Sequence, residues 1–191
     1  MEVLKMKSNS KYSILQNQPR SFMTGTVEYI DSEWIFFDEE TDEASMLNNI
    51  LNESVEVYIN MSWEKGLFIS DHQFKLHNMI YRIKNGDKLR VTRKLPYAYE
   101  QLLKHLKKEA FHTLTSHLNS LNISLYDCIY CHNTLIFLPE DKHTKGANFL
   151  IFDNEEMICS VQHLFERGEN GLDRFEYTLS DGSRSMNLIL H

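Results

Sequence analysis

The stretch from Ile123 to Leu138 reads I-S-L-Y-D-C-I-Y-C-H-N-T-L-I-F-L and is the most apolar, β-prone run of the chain. Its pattern predicts two strands, Ser124 to Cys131 and Thr134 to Leu138. The turn between them falls at His132-Asn133, because asparagine tolerates the positive φ that a tight hairpin requires. We therefore expect this hairpin to lie at the centre of a second domain.

The sequence on either side of this hairpin predicts a helix layer and a sheet. From Tyr99 to Leu121, leucines and aromatic residues recur at spacings of three and four, which indicates one amphipathic helix, or two with a break near Glu109. After the hairpin, four strand-like runs with short turns predict an antiparallel meander that the helix layer covers on one face. These runs are Asn148 to Phe152, Met157 to Phe165, Arg174 to Leu179 and Arg184 to Leu190.

The N-terminal half, from Phe22 to Lys94, shows short strand patterns separated by turn residues. The Asn85-Gly86 pair is a strong turn signal and predicts a hairpin between Asn78 to Ile83 and Asp87 to Arg93. Five to seven short strands in roughly 70 residues are typical of a small barrel. We therefore predict an SH3-like or OB-like β-barrel for this half.

A change from alternating to helical spacing between Arg93 and Pro96 indicates a domain boundary. We predict a polar, partly disordered lead-in over residues 1–21, a small β-barrel domain over residues 22–95 and an α+β domain over residues 96–191. The chain as a whole is then α+β and rich in β-structure. Its 191 residues are enough to give each of two domains a core.

Composition narrows the class of protein. The net charge of −7 argues against a general polyanion binder, because the field of the whole chain opposes approach to phosphates. The first 20 residues contain no uninterrupted apolar run of the kind that a signal peptide or a spanning helix needs. Three cysteines do not suit a closed disulfide framework. We therefore expect a cytoplasmic protein with no membrane partner.

The cysteines are the first candidates for chemistry. Cys128, Cys131 and His132 match the C-x-x-C-H pattern of haem attachment, but they lie in a predicted strand and no export signal is visible. Cys128 and Cys131 with Cys159 and His163 would form a tetrahedral zinc set. Cys159 and His163 are four apart on a strand and share a face. Cys128 and Cys131 are three apart and should project to opposite faces unless a bulge intervenes.

Other catalytic arrangements are weaker. A redox C-x-x-C normally opens a helix that lowers the thiol pKa, and none is predicted at Cys128. Neighbouring strand residues such as Cys131 and His132 point to opposite sides and cannot form a dyad. No nucleophile elbow, P-loop or dinucleotide fingerprint is present in the sequence. We therefore predict no catalytic, cofactor-binding or metal-binding residue.

Basic residues between Arg82 and Lys94 offer a nucleic-acid-binding face on the predicted barrel. They are Arg82, Lys84, Lys88, Arg90, Arg93 and Lys94. The same residues also suit the solvated face of an edge strand, where charges discourage aggregation. The negative net charge favours the second interpretation.

Two segments resemble a known family: S-L-Y-D-C-I-Y-C-H-N at Ser124 to Asn133, and F-L-I-F-D-N-E-E-M-I-C-S-V-Q-H at Phe149 to His163. Together with G-T-V-E-Y-I at Gly25 to Ile30, they resemble an uncharacterised family of Gram-positive, spore-forming bacteria, known as a domain of unknown function. The resemblance implies a bacterial cytoplasmic protein. It supplies no activity and no site residue.

The function that the sequence favours is a non-enzymatic interaction or regulatory protein with no cofactor, whose partner is another protein. One alternative is a zinc-binding or thiol-sensing protein using Cys128, Cys131, Cys159 and His163. The other is a nucleic-acid-binding small barrel using the Arg82–Lys94 face.

Overall fold

A computed structural model describes residues 11–51, 55–70, 72–77, 79–137 and 144–191. The chain divides into two compact units. The first unit is Arg20–Arg93, and the second is Lys94–His191 together with the segment that ends at Pro19. The first unit is therefore inserted into the sequence of the second.

The first unit is built on one antiparallel sheet of eight strands. The strands are β1 (Phe22–Ile30), β2 (Glu33–Asp38), β3 (Ala44–Met46), β4 (Val55–Ile59), β5 (Ser62–Ser70), β6 (Gln73–Leu76), β7 (Met79–Arg82) and β8 (Lys88–Thr92). Their order across the sheet is β3-β2-β1-β8-β4-β5-β6-β7. One short helix, Leu47–Ile50, follows β3, and its Leu47 belongs to the same buried core as Val27, Phe36 and Val57.

The barrel predicted for this unit is wrong. In the described part of the chain, β3 and β7 each pair with one neighbour only, so the sheet has two open edges. Alternation and turn residues predict where strands lie, but closure depends on pairing between strands far apart in sequence.

The predicted hairpin across Asn85-Gly86 is also wrong, although the turn is present. Gly86 has φ +84° and its N–H donates to the Val27 carbonyl at 2.8 Å. The Asn85 Oδ1 accepts from the Tyr29 N–H at 2.8 Å. The turn therefore docks on β1, and β8 pairs with β1 and β4. The strand β7 pairs instead with β6, which the sequence pattern did not reveal.

The second unit packs helices on a five-stranded antiparallel sheet. Its helices are α1 (residues 11–16), α3 (Tyr97–His105) and α4 (Lys108–Ser120), with the helix of the first unit as α2. Its strands are β9 (Cys128–His132), β10 (Lys145–Asp153), β11 (Ile158–Glu166), β12 (Leu172–Leu179) and β13 (Arg184–Leu190). The order β13-β12-β11-β10-β9 is an antiparallel meander. The predicted α+β, β-rich class is confirmed, and the helical segment is two helices with a break at Leu106-Lys107, close to the predicted position near Glu109.

The hairpin predicted from Ser124 to Leu138 does not form. The Ser124 Oγ accepts from the Tyr126 N–H at 3.1 Å, and Asp127 Oδ2 accepts from the Ser124 N–H at 2.7 Å. This capping box closes a 3-10 turn over Leu125–Asp127, so the strand begins only at Cys128. It pairs with β10, and a second 3-10 turn covers Leu135–Phe137. Leu138 lies outside the described residues.

Residues 11–19 of the predicted lead-in are a structural part of the second unit. Lys11 Nζ donates to the carbonyls of Leu103 at 2.8 Å and Leu106 at 2.6 Å, at the C-terminal end of α3. Burial there lowers the Lys11 pKa. Ile14 and Leu15 pack against the helix–sheet core. The remainder of the prediction, residues 1–10, lies outside the described residues.

We predict that the second unit folds without the first. The Arg93 N–H donates to the Ser21 carbonyl at 2.9 Å, so the two ends of the first unit are adjacent. Joining Pro19 to Lys94 through a short Gly-Ser linker should therefore give a soluble protein with one cooperative thermal transition by circular dichroism. A matched fragment starting at Lys94 lacks α1 and should unfold at a lower temperature. A linked chain that is insoluble or unfolds without cooperativity would contradict the prediction.

Candidate functional site

The cysteine pair of β9 lies on one face of the strand and not on two. Cys131 pairs with Leu150 and Cys128 pairs with Phe152, with a register shift between Ile151 and Phe152. The bulge at this point carries Ile129 outward, where it is 62% exposed. Both sulfurs therefore face the helix–sheet core. The prediction that Cys128 and Cys131 project to opposite faces is wrong, because it assumed a regular strand.

Burial keeps the three thiols protonated. It raises the pKa of Cys131 to about 12 and that of Cys159 to about 11. Burial, with the neighbouring Cys131, raises the Cys128 pKa further. Thiolate is the form that reacts and binds metals, so these environments favour inert core residues. They give no support to thiol sensing.

The four residues of the predicted zinc set do not meet at one point. Cys159 and His163 share the inner face of β11, as the spacing predicted. His163, however, uses both ring nitrogens for other partners: Nε2 lies 2.7 Å from Asp173 Oδ1, and Nδ1 lies 3.1 Å from Asn148 Nδ2. Within the described ranges, no three His, Cys, Asp or Glu side chains are arranged to hold a metal ion.

His163 instead belongs to a buried polar chain across the inner face of the sheet. Its ring is stacked on Phe175, with centroids 4.4 Å apart. Burial lowers the His163 pKa, so the ring is neutral, with its Nε2–H donated to Asp173 and its Nδ1 accepting from Asn148. Asn148 Oδ1 in turn accepts from Thr134 Oγ1 at 2.9 Å. Each nitrogen of the ring is satisfied, which suits a structural role better than proton transfer.

Asp173 is the charged centre of this chain. Its side chain is fully buried and accepts from His163, from His191 Nε2 and from Arg167 Nη2 at 2.9 Å. Burial alone would raise the Asp173 pKa. The hydrogen bonds from the two histidines and the charge of Arg167 outweigh that effect and hold it well below its usual range. The sequence signal was a polar residue among the otherwise apolar inward positions of β12, and we did not predict its role.

Three of the six basic residues of the Arg82–Lys94 face are paired with carboxylates. Lys88 Nζ lies 2.7 Å from Glu39 Oε1, and Arg93 Nη2 lies 2.6 Å from Glu40 Oε2. The guanidinium of Arg90 binds Glu56. These pairs leave less positive charge for a phosphate backbone than the sequence indicated. The edge-strand interpretation is wrong for Lys88 and Arg90, since β8 lies between β1 and β4.

The second unit exposes apolar residues on the face of its sheet that the helices do not cover. We call this the outer face, and define it by Tyr130, Phe149, Leu164, Leu172, Met186, Leu188 and Leu190. A shallow groove of about 700 Å³ runs across it, from Lys145 on β10 to Leu188 on β13. The opposite face carries the core against α3 and α4.

These features define an α+β protein made of two antiparallel sheets, one of them covered by helices on one face. Residues 9–188 match the model of the protein family of unknown function DUF2777, and the chain belongs to that family. The resemblance drawn from the sequence is thereby confirmed.

A relative in Bacillus subtilis (strain 168), the uncharacterized protein YisN, is 24% identical over 174 residues, which cover 91% of this chain and 88% of YisN. No solved structure matches the chain. Among the described residues, no helix is both long enough and apolar enough to span a bilayer.

Proposed function

We propose that this protein is a non-enzymatic interaction module that associates with a second copy of itself through the outer face of the second unit. The observation that carries the proposal is the apolar character of that face. The other face of the same sheet packs against the helices in a filled core, whereas no described element of the second unit covers the outer face.

Strand register brings the apolar residues of the outer face together. Leu164 on β11 pairs with Arg174 on β12, which pairs with Leu188 on β13. Leu172 pairs with Leu190 on the next row. Met186, Leu188 and Leu190 are 56%, 53% and 75% exposed, respectively. An exposed apolar patch of this kind on a soluble protein marks an interaction surface.

The size of the face suits a protein partner. Each half-exposed side chain of this size leaves roughly 100 Å² uncovered, on the basis of the area that large apolar residues bury. Phe149, Tyr130 and the three exposed residues of β13 therefore supply roughly 500 Å². A standard interface needs about 800 Å² per partner, and the polar residues between them supply the remainder.

The charges on the face favour a second copy over a strongly charged partner. Lys145 and Glu166 form an ion pair at 2.9 Å, and Arg174 and Glu176 form another at 2.8 Å. Positive and negative groups are thus balanced within the face, so two copies meet without net repulsion. A twofold axis would place one sheet on the other, with the aligned packing of a β-sandwich.

The mass of the protein in solution tests the proposal. Light scattering at micromolar concentration should give twice the 22.6 kDa of one chain. Leu188→Glu places a charge in the interface and should weaken dimerisation by roughly thirtyfold or more. Leu67→Glu is the matched control, since Leu67 is equally exposed, at 53%, but lies on β5 of the first unit. A wild-type monomer at about 100 µM, or an equal effect of both substitutions, would contradict the proposal.

A further inference from the structure

The tip of the β1–β2 hairpin carries a second candidate site, in the first unit. Asp31 and Ser32 form its turn with φ of 48° and 69°, as a tight hairpin turn requires. Just before and after the turn, Tyr29 and Trp34 are cross-strand partners. His72, which precedes β6, lies against both of their rings.

The three rings form one wall of a small cavity. The ring centroids of Tyr29 and Trp34 are 5.3 Å apart, and His72 lies 5.6 Å from Trp34 and 6.2 Å from Tyr29. The cavity has a volume of about 260 Å³. The other residues that line it are Ser32, Glu33, Leu47, Asn48 and Phe68.

The electrostatic character of this cavity is negative. Aromatic rings present the negative face of their quadrupole. Glu33 also belongs to the lining, at an exposed position beside the turn, and the described lining contains neither lysine nor arginine. Glu33 forms no ion pair with any residue that the structure describes. Aromatic faces combined with a carboxylate attract a cation.

Elsewhere in the first unit, aromatic rings and a carboxylate together hold a guanidinium group. The guanidinium of Arg90 lies between the rings of Phe22, at 4.6 Å, and Trp63, at 4.7 Å. Glu56 pairs with its charge. The cavity at the hairpin tip also has aromatic rings and a glutamate in its lining, but its described lining contains no lysine or arginine.

We propose that the cavity lined by Tyr29, Glu33, Trp34, Phe68 and His72 binds an organic cation, an ammonium or guanidinium group. Its volume fits a trimethylammonium head or the end of a lysine or arginine side chain, and is below that of a pocket for a drug-sized ligand. The cation lies against the rings, and Glu33 supplies the counter-charge. The group belongs either to a small free molecule or to a peptide side chain.

Choline and its neutral isostere 3,3-dimethylbutan-1-ol provide a direct test, because they share one shape and differ in charge. The chain has two tryptophans, so Trp63→Phe leaves Trp34 as the only indole reporter and retains a ring beside Arg90. Choline should change the Trp34 fluorescence saturably, with a dissociation constant in the millimolar range. The isostere should bind at least tenfold more weakly. Equal binding of the two, or no saturable change up to about 100 mM choline, would overturn the proposal.

Two substitutions separate a specific site from general electrostatics. Glu33→Gln should weaken choline binding three- to tenfold, whereas Glu28→Gln, the same change on the same hairpin, should alter it less than twofold. Trp34→Phe, followed by calorimetry, should weaken binding and leave the fold intact, because the indole Nε1 has no hydrogen-bond partner among the described residues. Equal effects of the two glutamate substitutions would contradict the role of Glu33. A peptide carrying trimethyl-lysine that binds more tightly than choline would assign the cation to a protein side chain, and the reverse would assign it to a small free molecule.

Discussion

Replacing Asp173 with Asn should lower the free energy of unfolding by about 3 to 5 kcal/mol. The carboxylate is fully buried and receives hydrogen bonds from His163, His191 and Arg167. Asparagine keeps the shape but removes the negative charge, which leaves the partly buried Arg167 without its counter-ion and places an amide donor opposite a histidine N–H. Urea unfolding at a fixed protein concentration measures the difference, because dimerisation would make stability depend on concentration.

Asp181→Asn is the matched control for this substitution. Asp181 lies in the same unit, on an exposed turn, and its side chain accepts from the Ser183 N–H at 2.8 Å, which an asparagine oxygen can also do. Its replacement should leave stability almost unchanged. A loss of less than about 1 kcal/mol in Asp173→Asn would show that Asp173 does not hold the polar chain together.

The buried polar chain around Asp173 and His163 also makes the stability of the protein sensitive to acid. Burial lowers the His163 pKa, so below the ordinary histidine pKa of about 6.5 the unfolded chain takes up a proton that the folded chain does not. The Asp173 pKa is also low in the folded state. Its contribution is complete above about pH 4, the ordinary aspartate pKa, and is lost as the pH falls toward the folded value. Stability should therefore decrease from pH 7 to pH 5 and decrease further below pH 4. A rise in stability between pH 7 and pH 5 would contradict this account.

Gly25→Ala should produce the second large effect, a loss of about 3 kcal/mol in the free energy of unfolding. A Cβ atom at this position would lie 2.0 Å from the Phe37 carbonyl oxygen and 2.7 Å from Phe36 Cζ. The first of these atoms is backbone, held by the pairing of Gly25 with Asp38 on β2. Since β1 also pairs with β8, the clash must displace a strand at the centre of the sheet. Thermal and urea unfolding of the full chain measure the cost.

Gly86→Ala provides the comparison in the same unit. Gly86 has φ +84°, and a Cβ there would meet nothing within 4 Å. Its replacement introduces backbone strain without a clash and should cost about 1 kcal/mol. If the two alanine substitutions cost the same, the close approach of β1 and β2 is not what requires glycine at position 25.

Local patterns in the sequence predicted elements well and their partners poorly. The strand-like run predicted from Arg184 to Leu190 has the bounds of β13 in the structure. Pairing is decided by contacts between distant segments. The Asn85-Gly86 turn was correctly located, yet the two strands that it connects do not pair: β8 pairs with β1 and β4, and β7 pairs with β6.

The candidate sites depend even more than the strand pairing on contacts between segments that are distant in sequence. The faces of Cys128 and Cys131 depend on one bulge, and a single extra residue reverses every later side chain. The partners of His163 come from β10 and β12. The cavity beside Trp34 needs His72, which is remote in sequence from the β1–β2 hairpin. None of these relations has a local signature in the chain.

The insertion of the first unit into the second has a kinetic consequence. The second unit needs α1 beside α3, which requires closing a loop of roughly 70 residues at an entropic cost of about 4 kcal/mol by the logarithmic rule. Once the first unit has folded, its ends are joined by the Arg93–Ser21 hydrogen bond, and the loop is already closed. Folding of the first unit therefore shortens the loop between α1 and α3, and this should accelerate the assembly of the second unit. A substitution confined to the first unit, such as Gly25→Ala, should therefore slow the refolding of the second unit as well.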